Sequence, residues 1–407
     1  MADISKYTIN VPAEKLKLLS DRLALATFPT TVDFSDDWNY GVPLKDIKRL
    51  AHHWANGFDW RAQEAKLNKL PQFSTKVDVD GFGTLNIHFV HQRSHRENSI
   101  PLLFCHGWPG SFLEVIKILP LLTQNNDGQS FHVVAPSLPN YGFSDGVSKP
   151  GFGMPQYAEA MHKVMLNLGY TQYVTQGGDW GFAVTRMMGI LYPQNVLASH
   201  LNMIRIKAPR LTSAPAGVAN DEQSYTEEEK AGLERSKWFE KEGFGYNLLQ
   251  STKPSTIGMA LTDSPIALLS WIYEKLHDWT DDYPWTDDEI LTWVSIYQFS
   301  VAGPAASARI YYENTHASRG LTTKILEYNG ATKLGLSYFP RDIIVLPSAW
   351  GRTLGPVVFE VRHDRGGHFA AHETPELLVK DLRQMFGERG GAHDVIKTIL
   401  AKGDSRL

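Results

Sequence analysis

The sequence predicts an α/β fold with a mostly parallel central sheet, an inserted helical block and an N-terminal extension. Three observations predict it. Between residues 96 and 205, short apolar runs alternate with helical patterns, the spacing of strand–helix–strand units. Over 206–324 the strand pattern lapses, and it resumes at "KLGLSYF" and "VVFEVRHD". A helical block inserted in this way covers the C-terminal edge of the sheet, where ligands bind in open α/β sheets.

Taken in order, the first 95 residues read as helical at the start and as strands at the end. Pro12 suits the first turn of a helix, and Leu16, Leu19 and Leu23 follow at helical spacing. "KVDVDGFGTLNIHFVH" alternates on both sides of Gly81 and Gly83, a strand pair with a tight turn. In the second part, "PLLFC", "FHVVAPSL", "YVTQGG" and "SHLNMI" are the expected strands. Tyr157, Met161, Val164, Met165 and Leu168 share one helical face over 155–168, and Gly169 stops it. In the third part, Thr226 with Glu229 and Thr286 with Glu289 form capping boxes, and Ser264-Pro265 opens another helix. This block carries Trp238, Trp271, Trp279, Trp285 and Trp293, which fit either an apolar pocket or the block's own core. The expected division is an extension over 1–95, a core over 96–205 and 325–407, and a helical cap over 206–324.

Composition narrows the function classes. The chain has 407 residues, enough for a large core. Its 40 basic and 44 acidic side chains leave a net charge of −4, without the basic footprint of a nucleic-acid binder. A single cysteine, Cys105, excludes an intrachain disulfide and any multi-cysteine metal centre. No apolar run reaches the roughly 18–20 residues of a membrane span, and "MADISKYTIN" lacks the layout of a secretory signal. The expectation is a soluble intracellular protein with no transmembrane anchor.

The strongest local signal is "YVTQGGDWGFAVTRMMGILYP". An apolar strand ends at Gly177-Gly178, Asp179 follows, and a helical run begins at Trp180. Such a turn forces its central residue into strained backbone and needs small neighbours to close. It would hold the Asp179 side chain up at the sheet edge, as a nucleophile elbow does, with aspartate where serine is usual. On spacing alone, a simple helix cap at Asp179 fits equally well. Gly142-Phe143-Ser144-Asp145-Gly146 matches G-x-S-x-G, but a Pro- and Gly-rich stretch follows it instead of a helix. In "LLFCHGWPGS" a strand ends before Trp108, whose N–H, with that of Trp180, would supply two donors to a developing oxyanion. Pro109 is a candidate cis proline. Cys105 and His106 point to opposite faces of a strand, so they do not form a nucleophile–base pair. In "HDRGGHFAAHETP", His368 sits on a late loop, where a general base would follow nucleophile and acid in chain order. His368 and His372 have zinc-ligand spacing, but position 369 is Phe, not Glu, and no third ligand is evident.

These residues resemble the microsomal-type and fungal epoxide hydrolases, α/β-hydrolases that open epoxides to diols without a cofactor. The resemblance spans essentially the whole chain: "WNYGVPL" and "FDWRAQEAKLNKLPQF", then "HGWPGSFLEV" and "GGDWG", the cap segment "STKPSTIGMALTDSPIALLSWIYEK", and "GGHFAA". It implies an α/β-hydrolase fold, with Asp179 as nucleophile and His368 as general base. Asp342, in "YFPRD", would orient His368. The family's two cap tyrosines, which donate hydrogen bonds to the epoxide oxygen, match Tyr246 in "FGYNLLQSTKPS" and Tyr311 in "ARIYYEN", with Tyr312 one residue away. Partners are then a small apolar epoxide and water, with no metal or cofactor; a homodimer also occurs among relatives. Two alternatives stay open: a dehalogenase on the same fold, and a catalytically silent binding protein. Ser405-Arg406-Leu407 is one residue from the peroxisomal S-K-L address, so the expected location is cytoplasmic or peroxisomal.

Overall fold

A computed structural model describes residues 3–124, 128–206, 208, 225–317 and 323–401. The C-terminal tripeptide lies outside the described residues. Nine strands form one sheet: β1 (Ile4–Lys6), β2 (Gln72–Val79), β3 (Gly83–Gln92), β4 (Ile100–Cys105), β5 (Phe131–Pro136), β6 (Tyr173–Gly177), β7 (Val196–Asn202), β8 (Lys333–Tyr338) and β9 (Val357–Arg362). Their order across the sheet is β1-β2-β3-β5-β4-β6-β7-β8-β9. The first three strands and the β3–β5 pair are antiparallel, and every pair from β5 to β9 is parallel. This is the expected α/β-hydrolase architecture. β4, β5 and β6 are buried along their whole length, as parallel strands covered on both faces must be, and so they read as continuous apolar runs.

The N-terminal stretch departs from its helical reading in one place. Ile4–Lys6 adds an edge strand to β2. Three residues are too few to show an alternation, so nothing in "ISK" announces it. The helices α1 (Ala13–Ala24), α2 (Leu44–Asn56) and α3 (Trp60–Leu67) follow. Asp59 caps α3 by accepting from Ala62 N. The hairpin turns where expected, with Gly81 and Gly83 both at positive φ, a region open to glycine at no steric cost.

The core helices are α4 (Ile118–Gln124), α5 (Met154–Asn167) and α6 (Trp180–Leu191). Between β7 and β8 the described chain is helical: α7 (Glu227–Trp238), α8 (Gly245–Thr252), α9 (Pro254–Asp263), α10 (Pro265–Asp278), α11 (Asp287–Gln298) and α12 (Arg309–His316). Both capping boxes form, at Thr226 and Thr286, and Ser264 accepts from Ala267 N. This helical block, called the cap below, leans on the N-terminal helices. Arg49 pairs with Asp287, the His53 ring lies 2.8 Å from Asp288, and Arg22 donates to Thr262 O. No described helix is long and apolar enough to cross a membrane.

The chain leaves β4 for β5 on one side, then crosses back to β6 on the other. Strand order reverses there, which opens a crevice beyond the C-terminal ends of β4 and β6. Trp108 follows the first of these strands and Asp179 the second.

Candidate active site

Asp179 occupies the turn between β6 and α6 with φ 51° and ψ −125°. That is a costly conformation for a residue with a side chain, and it persists only where the surroundings impose it. Close packing imposes it here: a Cβ at Gly181 would overlap the carbonyl of Cys105, and one at Gly107 would overlap the Asp179 carboxylate. Asp179 makes no side-chain cap bond to α6, which sets it apart from an ordinary helix cap. Its Oδ1 accepts instead from Trp108 N at 2.8 Å, and the Trp180 N–H also acts on the carboxylate. Burial pushes its pKa up, while His368 and the two backbone donors pull back.

Trp108-Pro109 is cis, as the motif allows. The cap fixes this loop: Trp293 Nε1 donates to Pro109 O at 2.5 Å and Tyr297 Oη to Gly110 O at 2.6 Å. Burial pushes the Cys105 thiol up, consistent with a small apolar residue.

His368 follows β9 and is buried. Its Nδ1 lies 2.7 Å from Asp342 Oδ1, and its Nε2 lies 3.8 Å from Asp179 Oδ2. Burial alone would lower the imidazole; Asp342, the hydrogen bond to it and Asp179 outweigh burial and raise the pKa to about 9. The loops carrying His368 and Asp342 are tied together, Arg341 N donating to Gly366 O at 3.1 Å. Asp342 Oδ1 also accepts from Ile343 N at 2.7 Å.

Sequence reasoning missed what holds the His368 loop. Glu373 accepts from Gly367 N, Phe369 N and Asp281 N at 3.1, 2.9 and 2.8 Å. The cap adds a main-chain bond, His368 N to Trp279 O at 2.8 Å. A glutamate five residues beyond a histidine, in "HFAAHE", is the only trace of this in the sequence.

Tyr246, on α8, and Tyr311, on α12, are both buried. Their rings pack against Trp108 at 5.0 and 5.7 Å. They share with Asp179 the wall of a cavity of about 370 Å³. Burial, with the Asp179 charge next for Tyr246, raises both phenols, so both stay protonated at neutral pH. Tyr311 Oη lies in the vicinity of Tyr246 and the Trp180 indole with no fully formed hydrogen bond. Tyr312 is exposed and stacks on His316, away from that cavity.

The rest of the cavity wall is largely apolar and includes Phe182, Ile206, Phe239, Phe244, Ile325 and Ile343. None of the five cap tryptophans lines it. Trp279 and Trp293 are cap core, and Trp285 stacks on His372 at 5.0 Å. His372 thus sits in an aromatic cluster, and among the described residues no group of His, Cys, Asp or Glu is arranged to hold a metal. Ser144 is buried and bonded to Ser137 O at 2.6 Å and His88 N at 2.9 Å, so it fastens its loop to β3.

Comparison with known proteins identifies the family. The family model described as epoxide hydrolase N terminus matches residues 4–115, and the one described as alpha/beta hydrolase fold matches 100–230. Epoxide hydrolase 1 of Sus scrofa is 34% identical over 94% of this chain and 88% of its own length. The solved structure of the Aspergillus niger epoxide hydrolase superposes with a TM-score of 0.83 at 34% identity, covering 98% of this chain and 97% of that one. The juvenile hormone epoxide hydrolase of the silkworm Bombyx mori gives 0.82 at 27% identity, covering 99% and 96%. With identity of this level over nearly the full length of both chains, the chain belongs to the epoxide hydrolases, α/β-fold hydrolases of the epoxide ether bond.

Proposed function

We propose that the chain converts an apolar epoxide to a vicinal diol through an alkyl ester on Asp179, beneath a lid formed by residues 206–324. The observation that carries this reading is the division of the Asp179 carboxylate. Oδ1 is held by the Trp108 N–H, Oδ2 lies 3.8 Å from His368 Nε2, and the residue itself lines the cavity that bears the two phenols.

An epoxide carbon is electrophilic, but its alkoxide leaves poorly from neutral water. Tyr246 and Tyr311 donate hydrogen bonds to that oxygen, and one of them delivers a proton as the C–O bond breaks. Asp179 attacks the carbon directly, because a carboxylate needs no prior deprotonation. The ester carbonyl is then Oδ1, already in place against Trp108 N, with the Trp180 N–H also close to the carboxylate. Water attacks Cγ as His368 Nε2 takes its proton, and the two amides stabilise the tetrahedral oxyanion. Collapse releases the diol and restores the Asp179 carboxylate, and the proton on His368 returns to the tyrosinate. Asp342 holds the imidazole in the tautomer this step requires. No cofactor enters.

One turnover in ¹⁸O-labelled water tests the sequence of events. The ester route places the label in Asp179, found by peptide mass spectrometry, whereas direct attack by water places it in the diol. Label confined to the diol would overturn the ester route.

A further inference from the structure

A second cavity touches Asp179 from the core side. It offers about 10 Å³ to a water centre, close to the room a single water needs. Glu114, Gln176, Asn202 and His368 contribute to its wall. Among the described residues, the linings of this space and of the substrate cavity have Asp179 alone in common. The aspartate is therefore a partition between a large, mainly apolar chamber and a water-sized one whose wall mixes polar side chains with apolar ones such as Phe104 and Leu378.

We propose that this small chamber seats the hydrolytic water, held by the Glu114 carboxyl and the Gln176 amide against the Asp179 ester. The inference deepens the ester reading above and rests on it. Three features of the chamber support it. First, Gln176 is buried and its Oε1 has no hydrogen-bond partner, while its Nε2 donates to Asn202 Oδ1 at 2.6 Å. A buried orphan acceptor is costly unless a water meets it. The Asn202 bond also fixes the amide, so whichever end is oxygen, one end stays available. Second, Glu114 is mostly buried, near the backbone N–H groups of Gly107 and Ser111. Gly110 makes space for it, since a Cβ there would overlap Glu114 Oε1. Third, burial pushes the Glu114 carboxyl up to about 8, with His368 opposing. At neutral pH it is mainly an uncharged acid, able to accept from a water or to donate to it.

The step balances with what is present. One water O–H bond breaks, its proton passes to His368 Nε2, and the oxygen bonds to Asp179 Cγ. The second proton stays on that oxygen, donated in a hydrogen bond to Glu114 or Gln176 until the tetrahedral adduct collapses. The Cγ–O(alkyl) bond then breaks, and the departing alkoxide takes that second proton, leaving Asp179 ionised. The water's own oxygen remains on the aspartate.

Pre-steady-state kinetics with styrene oxide separate formation of the ester from its decay, by rapid quench and intact-protein mass. For Glu114→Leu we expect decay to slow about tenfold or more, the effect of losing a hydrogen bond to the reacting water, while formation changes less than about threefold. Glu114→Gln, which keeps an acceptor and a donor, restores decay to within about threefold. Gln176→Met, which leaves Glu114 in place, slows decay alone. Normal formation reports an intact fold in each variant. Decay at the parent rate in both Glu114→Leu and Gln176→Met, or equal loss of both steps, overturns the proposal. A protein that carries no ester even in His368→Gln overturns the covalent reading as well, and that result is distinct from an ester that forms and decays normally without Glu114.

Discussion

At the scale of single residues, His368 holds its proton against two carboxylates, and the proposed reaction removes one of them. Esterifying Asp179 deletes its charge, so the His368 pKa in the alkyl-enzyme falls below the value of about 9 in the free protein. Ester hydrolysis needs the neutral ring. Its rate therefore rises with pH and levels off with a midpoint below about 9, measurable as the pH dependence of ester decay in single turnovers. A midpoint at or above that of the free protein, read from its own imidazole titration by NMR, would contradict the role of Asp179 in raising it. Replacing the base has a separable effect. In His368→Gln we expect turnover to fall by about 10²–10⁴-fold, the usual worth of general-base catalysis, with the substrate's mass retained on Asp179. Tyr246→Phe combined with Tyr311→Phe should fail earlier, leaving Asp179 unmodified; rapid alkylation in that double variant would remove the phenols from the first step.

At the scale of elements, the elbow depends on close backbone contact. Gly181→Ala would press a methyl group into the Cys105 carbonyl. We expect about 1–3 kcal/mol of destabilisation, typical of overpacking, measured by urea denaturation. Arg186 on α6 joins the cap's return to the core: its guanidinium donates to Ile325 O, Glu327 O and Leu354 O, at 3.0, 2.7 and 3.0 Å. Arg186→Met should cost about 1–3 kcal/mol or more, because it strands buried carbonyls; an unchanged denaturation midpoint would rule this out. Elements of these two kinds differ in how far the sequence betrays them. The turn at Asp179, the capping boxes at Thr226 and Thr286 and the apolar strands β4 to β6 are local patterns, so their signals lie within a few residues. Arg186 reads as an ordinary helix cation, Glu114 as a surface residue in "SFLEV", and β1 as nothing at all. Their partners are distant in sequence, and only tertiary pairing makes those residues what they are. Tyr311 and Tyr312 illustrate the limit: the motif admits either, and the rotation of α12 sends one inward and the other to solvent.

At the scale of the whole molecule, the two halves of the proposed reaction are served by different parts. The core supplies Asp179, Asp342, His368 and the amides of Trp108 and Trp180. The cap supplies Tyr246, Tyr311 and part of the apolar wall. Substitutions at Phe239 or Phe244, which line the large cavity from the cap, should alter selectivity among epoxides by about tenfold per lost apolar contact of one to two methylenes and leave decay of a given ester unchanged. Competition between two epoxides, with decay followed separately, checks both halves of that statement.

The cap is also fastened to the core on the side of the base. Trp279 O accepts from His368 N, Asp281 Oδ2 from Gly366 N, and Trp293 and Tyr297 grip the Pro109–Gly110 backbone. A cover riveted along that margin cannot swing clear without dismantling the apparatus beneath it. Movement of that cover is thereby coupled to the loops that carry His368 and Trp108.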